Sequence, residues 1–281
     1  MKWRRGYRSE NVSDMRRSRP RPRSAIAVGG GGLVAVIIGI IFVLSVGGGG
    51  SLDLDALAPA PAAQEPLRGP DLNEDTRAIA EFTLDQSQDT WAALFAQSDQ
   101  AYPPASLTLF SGSTASSCGG ATSRIGPHYC PNDQTIYIDL DFFAQLEDQF
   151  GAAGDFAEAY VIAHEVAHHV QNITGVMDEV RRLQSDTNSH SQFYGYSISL
   201  ELQADCLAGI WARAAYQADL LDPGDITEAL EAAAAVGDDR IREAASGTDV
   251  PEAWTHGSSA ERVQWFTTGF DTGDPSACNT F

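Results

Sequence analysis

Basic side chains are scarce in most of this 281-residue chain. Half of its 18 Lys and Arg residues lie within residues 1–24, which contain only two acidic side chains. The remaining residues therefore carry 9 basic and 36 acidic side chains, a net formal charge of −27. Binding to nucleic acid requires many cationic side chains that neutralise phosphates. The composition thus argues against a nucleic-acid partner, whereas a hydrophobic content of 43% is that of a folded protein.

Cysteines are few, and no two of them have the CxxC spacing of a thiolate zinc site. All four follow the amino-terminal region: Cys118, Cys130, Cys206 and Cys278. An even number of cysteines in an exported domain indicates two disulfides, for which three pairings are open. A bond between Cys118 and Cys130 would close a Gly-rich loop, and one between Cys206 and Cys278 would tie the carboxyl terminus to a helix.

One long segment, residues 25–46, contains no charged side chain. Twenty-two helical residues span roughly 33 Å, enough to cross the hydrocarbon core of a bilayer. The basic residues 1–24 in front of it predict a cytoplasmic tail, with the rest of the chain outside the cytoplasm. A cleaved signal peptide is the alternative, because residues 58–60 resemble a cleavage site, but they lie rather far beyond the apolar segment. We therefore predict a single-pass membrane protein.

The composition divides the rest of the chain into a tether and one domain. Residues 47–70 are rich in Gly, Ala and Pro and lack amphipathic periodicity, which predicts a flexible tether. The folded domain is then residues 71–281, with no internal repeat. Predicted helices cover residues 71–97, 156–172 with Asp155 as the amino-terminal cap, 197–218, 225–245 with a break near Gly237, and part of 254–270. Predicted strands cover residues 107–110 and 135–140, separated by a long loop. A small sheet with many helices is an α+β fold.

The sequence VIAHEVAHHV, residues 161–170, contains the HExxH pattern inside a predicted helix. His164 and His168 are one turn apart and lie about 40° apart around the helix axis. Both imidazoles can therefore bind one metal ion, with Glu165 beside it as a base for water. The alternative is a core or surface helix that carries incidental histidines.

A second acidic pattern, ELQAD at residues 201–205, lies in another predicted helix. A hydrolytic zinc site uses three protein ligands and keeps one position open, and Glu201 suits the third ligand. Asp205 lies one turn further on and can accept a hydrogen bond from the free N–H of a ligating imidazole. The alternative is a solvated acidic face, but apolar residues surround both carboxylates, which are costly to bury unpaired.

The segments HEVAHHVQ and LELQADCLAGIWA resemble the family of "putative neutral zinc metallopeptidases", bacterial proteins with a short basic tail and one membrane span. The likeness extends over most of the chain, including the CG…GPHYCP loop and the closing HGSSAERV. More distantly, the sequence is similar to zincins that take a Glu from a second helix as third ligand. The resemblance implies one Zn²⁺ per chain at His164, His168 and Glu201, with Glu165 catalytic.

The sequence offers other polar residues as hydrogen-bond donors to the oxygen on which negative charge develops during hydrolysis. His256 is the preferred candidate for this catalytic role, and Tyr194 and Tyr196 are alternatives. Arg262, six residues beyond His256, is expected to pair with a carboxylate and hold that segment in place.

Three further histidines are not predicted to take part in catalysis. His169 lies about 140° from His164 around the helix, so it cannot share the metal and is expected to be a packing or surface residue. His128 and His190 lie in predicted loops.

Together these features predict a membrane-anchored zinc metalloendopeptidase with a mostly helical, zincin-like α+β domain that acts on peptides or proteins. Glu165 would take a proton from a zinc-bound water and deliver it to the leaving amine. The strand Thr135–Asp139 could offer an open edge to which an extended peptide adds. Two alternatives remain: an inactive metal-binding scaffold, which does not need Glu165, and a metal-free envelope domain held by disulfides.

Overall fold

The structure, a computed structural model, describes residues 1–16, 70–122, 125–244 and 254–281. The predicted membrane segment, residues 25–46, and the predicted tether, except for Pro70, lie outside these ranges. Within them, none of the helices combines the length and the apolar composition that a bilayer crossing requires.

The described residues form a mostly helical α+β fold with a small sheet, as predicted. The helices are α1 (Pro70–Ala96), α2 (Asp141–Phe150), α3 (Asp155–Ile173), α4 (Val176–Asp186), α5 (His190–Gln217), α6 (Asp225–Ala235), α7 (Asp238–Ala244) and α8 (Ser259–Thr272). The strands are β1 (Val12–Asp14), β2 (Ser106–Phe110), β3 (Ser113–Ser116), β4 (Gly119–Thr122), β5 (His128–Cys130) and β6 (Thr135–Asp139). A single 3₁₀ turn, Pro275–Ala277, follows α8.

The main sheet has four strands in the order β1-β2-β6-β5. β2 pairs in parallel with β1 and with β6, whereas β5 pairs with β6 in antiparallel fashion. The prediction of an open edge at Thr135–Asp139 is therefore wrong, because β6 has a partner on both sides. That edge of the sheet belongs instead to β5, which is only three residues long and lies in the segment predicted as a loop.

Helix α3, which carries the HExxH pattern, lies in the core of the domain. Fifteen of its 19 residues are buried, so it is enclosed on nearly all sides. It packs against α1, α5 and α6. This packing places the HExxH helix directly beside α5, the helix with the ELQAD pattern.

The four cysteines adopt the pairing that closes the Gly-rich loop and ties down the carboxyl terminus. Cys118 is bonded to Cys130, with their Cα atoms 5.8 Å apart, and Cys206 to Cys278, with their Cα atoms 5.6 Å apart. The second bond links the carboxyl terminus to α5, one residue after Asp205.

Helices α2 and α4 and strands β3, β4 and β5 were not predicted, and the start of α5 and residues 1–16 also differ from the prediction. α5 begins at His190 rather than near residue 197, and its amino-terminal cap is Ser189, whose hydroxyl accepts from the backbone of Gln192. Residues 1–16, predicted as a separate tail, pack on the domain through β1, and Met1 is part of the core.

Helices α5 and α8 approach each other closely at a reciprocal pair of glycines. A Cβ atom on Gly209 of α5 would overlap the carbonyl oxygen of Phe266, and one on Gly269 of α8 would overlap that of Cys206. The two helices therefore touch through their backbones, which fixes α8 against the ELQAD helix.

We expect Gly269→Ala to lower the free energy of unfolding by about 2–3 kcal/mol, because the added methyl group forces the helices apart. Gly195→Ala is the matched control, since a Cβ there meets no atom within 4 Å. Within a helix that change should stabilise by up to about 1 kcal/mol. Urea unfolding followed by circular dichroism measures both, and equal effects would contradict the close approach.

Candidate metal centre

Adjacent helices α3 and α5 bring together the three residues predicted to bind zinc. The Nε2 atom of His164 lies 3.2 Å from one carboxylate oxygen of Glu201, and the Nε2 atom of His168 lies 3.5 Å from the other. All three side chains are buried, and their candidate ligand atoms lie within 4.8 Å of one another. The two helices thus bring Glu201 to a pair of histidines that lies more than 30 residues earlier in the sequence.

The orientation of both imidazoles is fixed through Nδ1. His164 Nδ1 lies 2.9 Å from the Asp205 carboxylate, and His168 Nδ1 lies 2.8 Å from the side-chain oxygen of Gln171. The Gln171 amide nitrogen donates to the backbone oxygen of Leu200, so its oxygen faces the imidazole. Because both partners accept, each Nδ1 carries a proton, and each Nε2 points towards Glu201. This is the tautomer and orientation that a metal-ligating histidine requires.

Several polar atoms in the centre are buried without a partner among the described residues. They are His168 Nε2, one oxygen of Glu201 and one oxygen of Glu165. Burial of polar atoms without hydrogen bonds is costly, which calls for a ligand at this place. Two imidazole nitrogens and a carboxylate oxygen are donors that zinc takes in proteins, so the chemistry of these three side chains fits that ion.

The protonation states of the centre follow from its burial and its charges. Burial lowers the pKa of His168 to about 4, so this imidazole is neutral. Burial also disfavours charge on His164, but Asp205 and Glu201 outweigh it and raise the pKa of that imidazole to about 9. Without a metal, a proton therefore lies between His164 and Glu201. Metal binding would release this proton.

A buried ion pair between Arg262 and Asp205 supports the imidazole of His164 on its Nδ1 side. Arg262 of α8 donates to both carboxylate oxygens of Asp205 at 2.7 and 3.0 Å, and the hydroxyl of Tyr160 also donates to Asp205. Burial raises the pKa of Asp205, but Arg262 and His164 more than offset this effect, so the carboxylate stays charged. Arg262 thus pairs with a carboxylate as predicted, and Asp205 contacts the imidazole as predicted.

Glu165 lines a cleft together with His164 and Glu201, whose charges act on its carboxyl group. Its carboxylate is buried, and burial raises its pKa to about 8, with His164 offsetting only part of the effect. A carboxyl group with a pKa near neutrality can both accept and return a proton at physiological pH. The cleft above it is lined by polar residues of the centre and by apolar side chains that include Ile125, Phe142, Val161 and Val236.

His256 lines the same cleft, and its Nε2 atom is buried without a partner among the described residues. Its Nδ1 atom lies 2.9 Å from the Thr255 hydroxyl and 3.4 Å from Asp238. The other Asp238 oxygen accepts the backbone N–H groups of Thr255, His256 and Gly257 at 2.6–3.0 Å. Asp238 therefore holds the whole His256 segment. The Thr255 hydroxyl can donate to Nδ1 or accept from it, whereas the Asp238 carboxylate only accepts, so these contacts allow the imidazole proton on either ring nitrogen.

The structure places the remaining candidates away from this cleft. Tyr194 and Tyr196 are not among the residues that line it, and Tyr196 borders a separate depression near α4. His169 is buried, with hydrogen bonds to the Tyr129 hydroxyl and a backbone oxygen. The prediction that His128 and His190 lie in loops is wrong. His128 lies in β5, and His190 lies in the first turn of α5.

Two residues of the site were missed in the sequence. Gln171 lies three residues after His168, on the same face of the helix. This spacing was a signal that Gln171 supports the second histidine ligand. Asp238 had no such signal, because it lies 18 residues before His256 in the sequence.

An HExxH helix beside a buried Glu from a second helix defines a zinc-hydrolase type of centre. A family model described as "Putative neutral zinc metallopeptidase" matches residues 1–281, and the chain belongs to that family. It is 44% identical over 219 residues to "Uncharacterized protein YpfJ" of Escherichia coli (strain K12), covering 78% of this chain and 76% of that protein. It is 49% identical over 187 residues to "Uncharacterized protein Rv2575" of Mycobacterium tuberculosis, covering 62% of this chain and 61% of that protein. No solved structure matches the chain.

Proposed function

We propose that this protein is a zinc-dependent metallopeptidase with a zincin-like arrangement of its two metal-binding helices. One observation carries the proposal: two imidazoles, oriented by Asp205 and Gln171, meet the Glu201 carboxylate in a buried site with unpartnered ligand atoms. Membership of a family described as a zinc metallopeptidase supports the same function. An inactive scaffold would not need a buried Glu165 with a pKa near neutrality beside those ligands.

The residues of the cleft supply the parts of a hydrolytic mechanism. A zinc ion held by His164, His168 and Glu201 would polarise the scissile carbonyl and acidify the attacking water. Glu165 accepts a proton from this water and returns it to the leaving amine. With its proton on Nε2, His256 would donate a hydrogen bond to the oxygen on which negative charge develops.

The edge of β5 is the proposed place for an extended peptide substrate. β5 has no strand partner on its outer side among the described residues, and the backbone of Tyr129, at its centre, lies within hydrogen-bonding reach of Glu165. A peptide that adds to this edge would therefore pass beside the catalytic carboxyl group. A crystal structure with a hydroxamate peptide should show main-chain hydrogen bonds to β5, and a peptide bound away from β5 would contradict this placement.

A peptide library tests the activity, because it samples many sequences and requires no chosen substrate. Full-length protein, purified in detergent and loaded with zinc, is incubated with a library prepared from a bacterial proteome. Mass spectrometry then identifies new peptide termini. We expect cleavages that require zinc and disappear with a chelator. No zinc-dependent cleavage in the library would favour the scaffold alternative.

We expect His256→Gln to lower kcat by about 10²–10³-fold, because one donor to the developing charge is lost. Asp238→Asn keeps an oxygen for the backbone N–H groups but weakens the hold on the imidazole, so we expect a smaller fall of about tenfold, by analogy with supporting residues. Zinc content should remain unchanged in both. Asp186→Asn, at an exposed site on α4, is the control. Unchanged kcat in His256→Gln would remove this residue from the mechanism.

Membrane attachment through residues 25–46 stays a prediction, because those residues lie outside the described part of the chain. The two disulfides support a domain in an oxidising compartment outside the cytoplasm.

A further inference from the structure

Residues 1–16, called the docking segment below, are built into the domain. β1 pairs with β2 in register, with Val12 opposite Leu107 and Asp14 opposite Leu109. Backbone hydrogen bonds of 2.7 and 2.9 Å extend this pairing on either side, at Met15 and Asn11. The docking segment thus supplies one edge of the main sheet.

Two carboxylates of the domain, one fully buried and one partly exposed, accept hydrogen bonds from the docking segment. Glu81 of α1 is fully buried, and it accepts the backbone N–H of Ser9 at 2.6 Å. Asp155, the first residue of the HExxH helix, accepts the indole N–H of Trp3 at 2.8 Å. Asp155 was predicted to cap its own helix, but Gly154 occupies that position. A buried acceptor that loses a donor is left unsatisfied, which is costly, so the domain is shaped around this segment.

The charges of the docking segment match those of the helix on which it lies. Arg5 pairs with Asp75 at 2.7 Å, and Arg8 pairs with Glu74 at 2.8 Å. Asp14 of the segment in turn pairs with Arg77 of α1 at 2.8 Å. Arg5 and Arg8, two of the basic residues that suggested a cytoplasmic tail, therefore have partners within the domain, which gives them a role besides that of a topology signal.

We infer that the docking segment and the metal-binding domain fold together on the same side of the membrane. A bilayer's hydrocarbon core is about 30 Å thick, whereas these two parts of the chain are joined by direct hydrogen bonds. A single crossing by residues 25–46 would put them on opposite sides, so any membrane contact of those residues leaves both flanking parts on one side. This inference rests on the contacts of residues 1–16 and not on the proposed peptidase function.

Accessibility in cells tests the inference with the full-length chain. Ser13, in β1, and Ser185, on α4, are both exposed. Single variants Ser13→Cys and Ser185→Cys are treated with a membrane-impermeant maleimide, before and after lysis. We expect both positions to be labelled under the same condition. Labelling of one position in intact cells and of the other only after lysis would overturn the inference.

A designed disulfide tests the contact itself. Ser13 and Thr108 are paired residues on neighbouring strands, so Ser13→Cys combined with Thr108→Cys brings two thiols within bonding range. We expect the corresponding cross-linked peptide in protein extracted from cells under thiol-blocking conditions. Ser185→Cys combined with Thr108→Cys is the control. A yield of cross-linked peptide no greater than in the control would show that the docking segment does not lie on β2.

Discussion

Glu201→Ala will abolish stoichiometric zinc binding by the full-length protein. Glu201 is the carboxylate next to both Nε2 atoms, at 3.2 and 3.5 Å. Its removal leaves two imidazoles and no charged ligand. Supporting residues around zinc sites typically contribute 10–100-fold in affinity, so we expect loss of a direct ligand to weaken binding by more than about 100-fold.

Elemental mass spectrometry of the purified protein measures this effect. Wild-type protein should contain one zinc per chain, and the variant should lose it on dialysis. Glu231→Ala, at an exposed site on α6, is the matched control and should retain zinc. Retention of one zinc per chain by Glu201→Ala would exclude this residue as a ligand.

Glu165→Gln will remove peptide cleavage while zinc remains bound. The amide has nearly the same shape as the carboxyl group, but it cannot accept the proton of the attacking water. General acid–base catalysis by a positioned side chain contributes about 10²–10⁴-fold, so kcat should fall by that factor. Because Glu165 is not among the three grouped ligand residues, zinc content should not change.

The same variant separates the enzyme from the scaffold alternative. Cleavage of the peptide library and zinc content are measured together for wild type and Glu165→Gln. An equal cleavage rate in both proteins would mean that the observed peptidase activity does not use this centre. Loss of zinc in Glu165→Gln would instead assign the residue to the ligands.

The features that were predicted well are those that depend on local sequence. HExxH and ELQAD each place their side chains one turn apart on a helix, and helix geometry alone then sets which residues share a face. Burial of Glu201 and Asp205 could be anticipated because apolar residues surround them in the sequence. The structure adds that the two helices lie side by side.

The features that were missed depend on contacts between distant parts of the chain. β5 has three residues, too few to show alternation, and it becomes a strand only by pairing with β6. Asp238 is recognised as a support of His256 only from the hydrogen bonds that join them in three dimensions. The arginines of residues 1–16 had a sufficient explanation as a topology signal, and only the three-dimensional contacts with α1 reveal their partners.

The position of the metal ion tests the central claim most directly. Crystals of zinc-loaded full-length protein, measured at the zinc absorption edge, locate the ion by anomalous scattering. We predict one strong peak bound by His164, His168 and Glu201. A second acidic group of the described residues, Asp155, Asp225 and Glu228, could also bring three carboxylates together. A zinc peak only at that second group, or no peak at all, would contradict the metal centre.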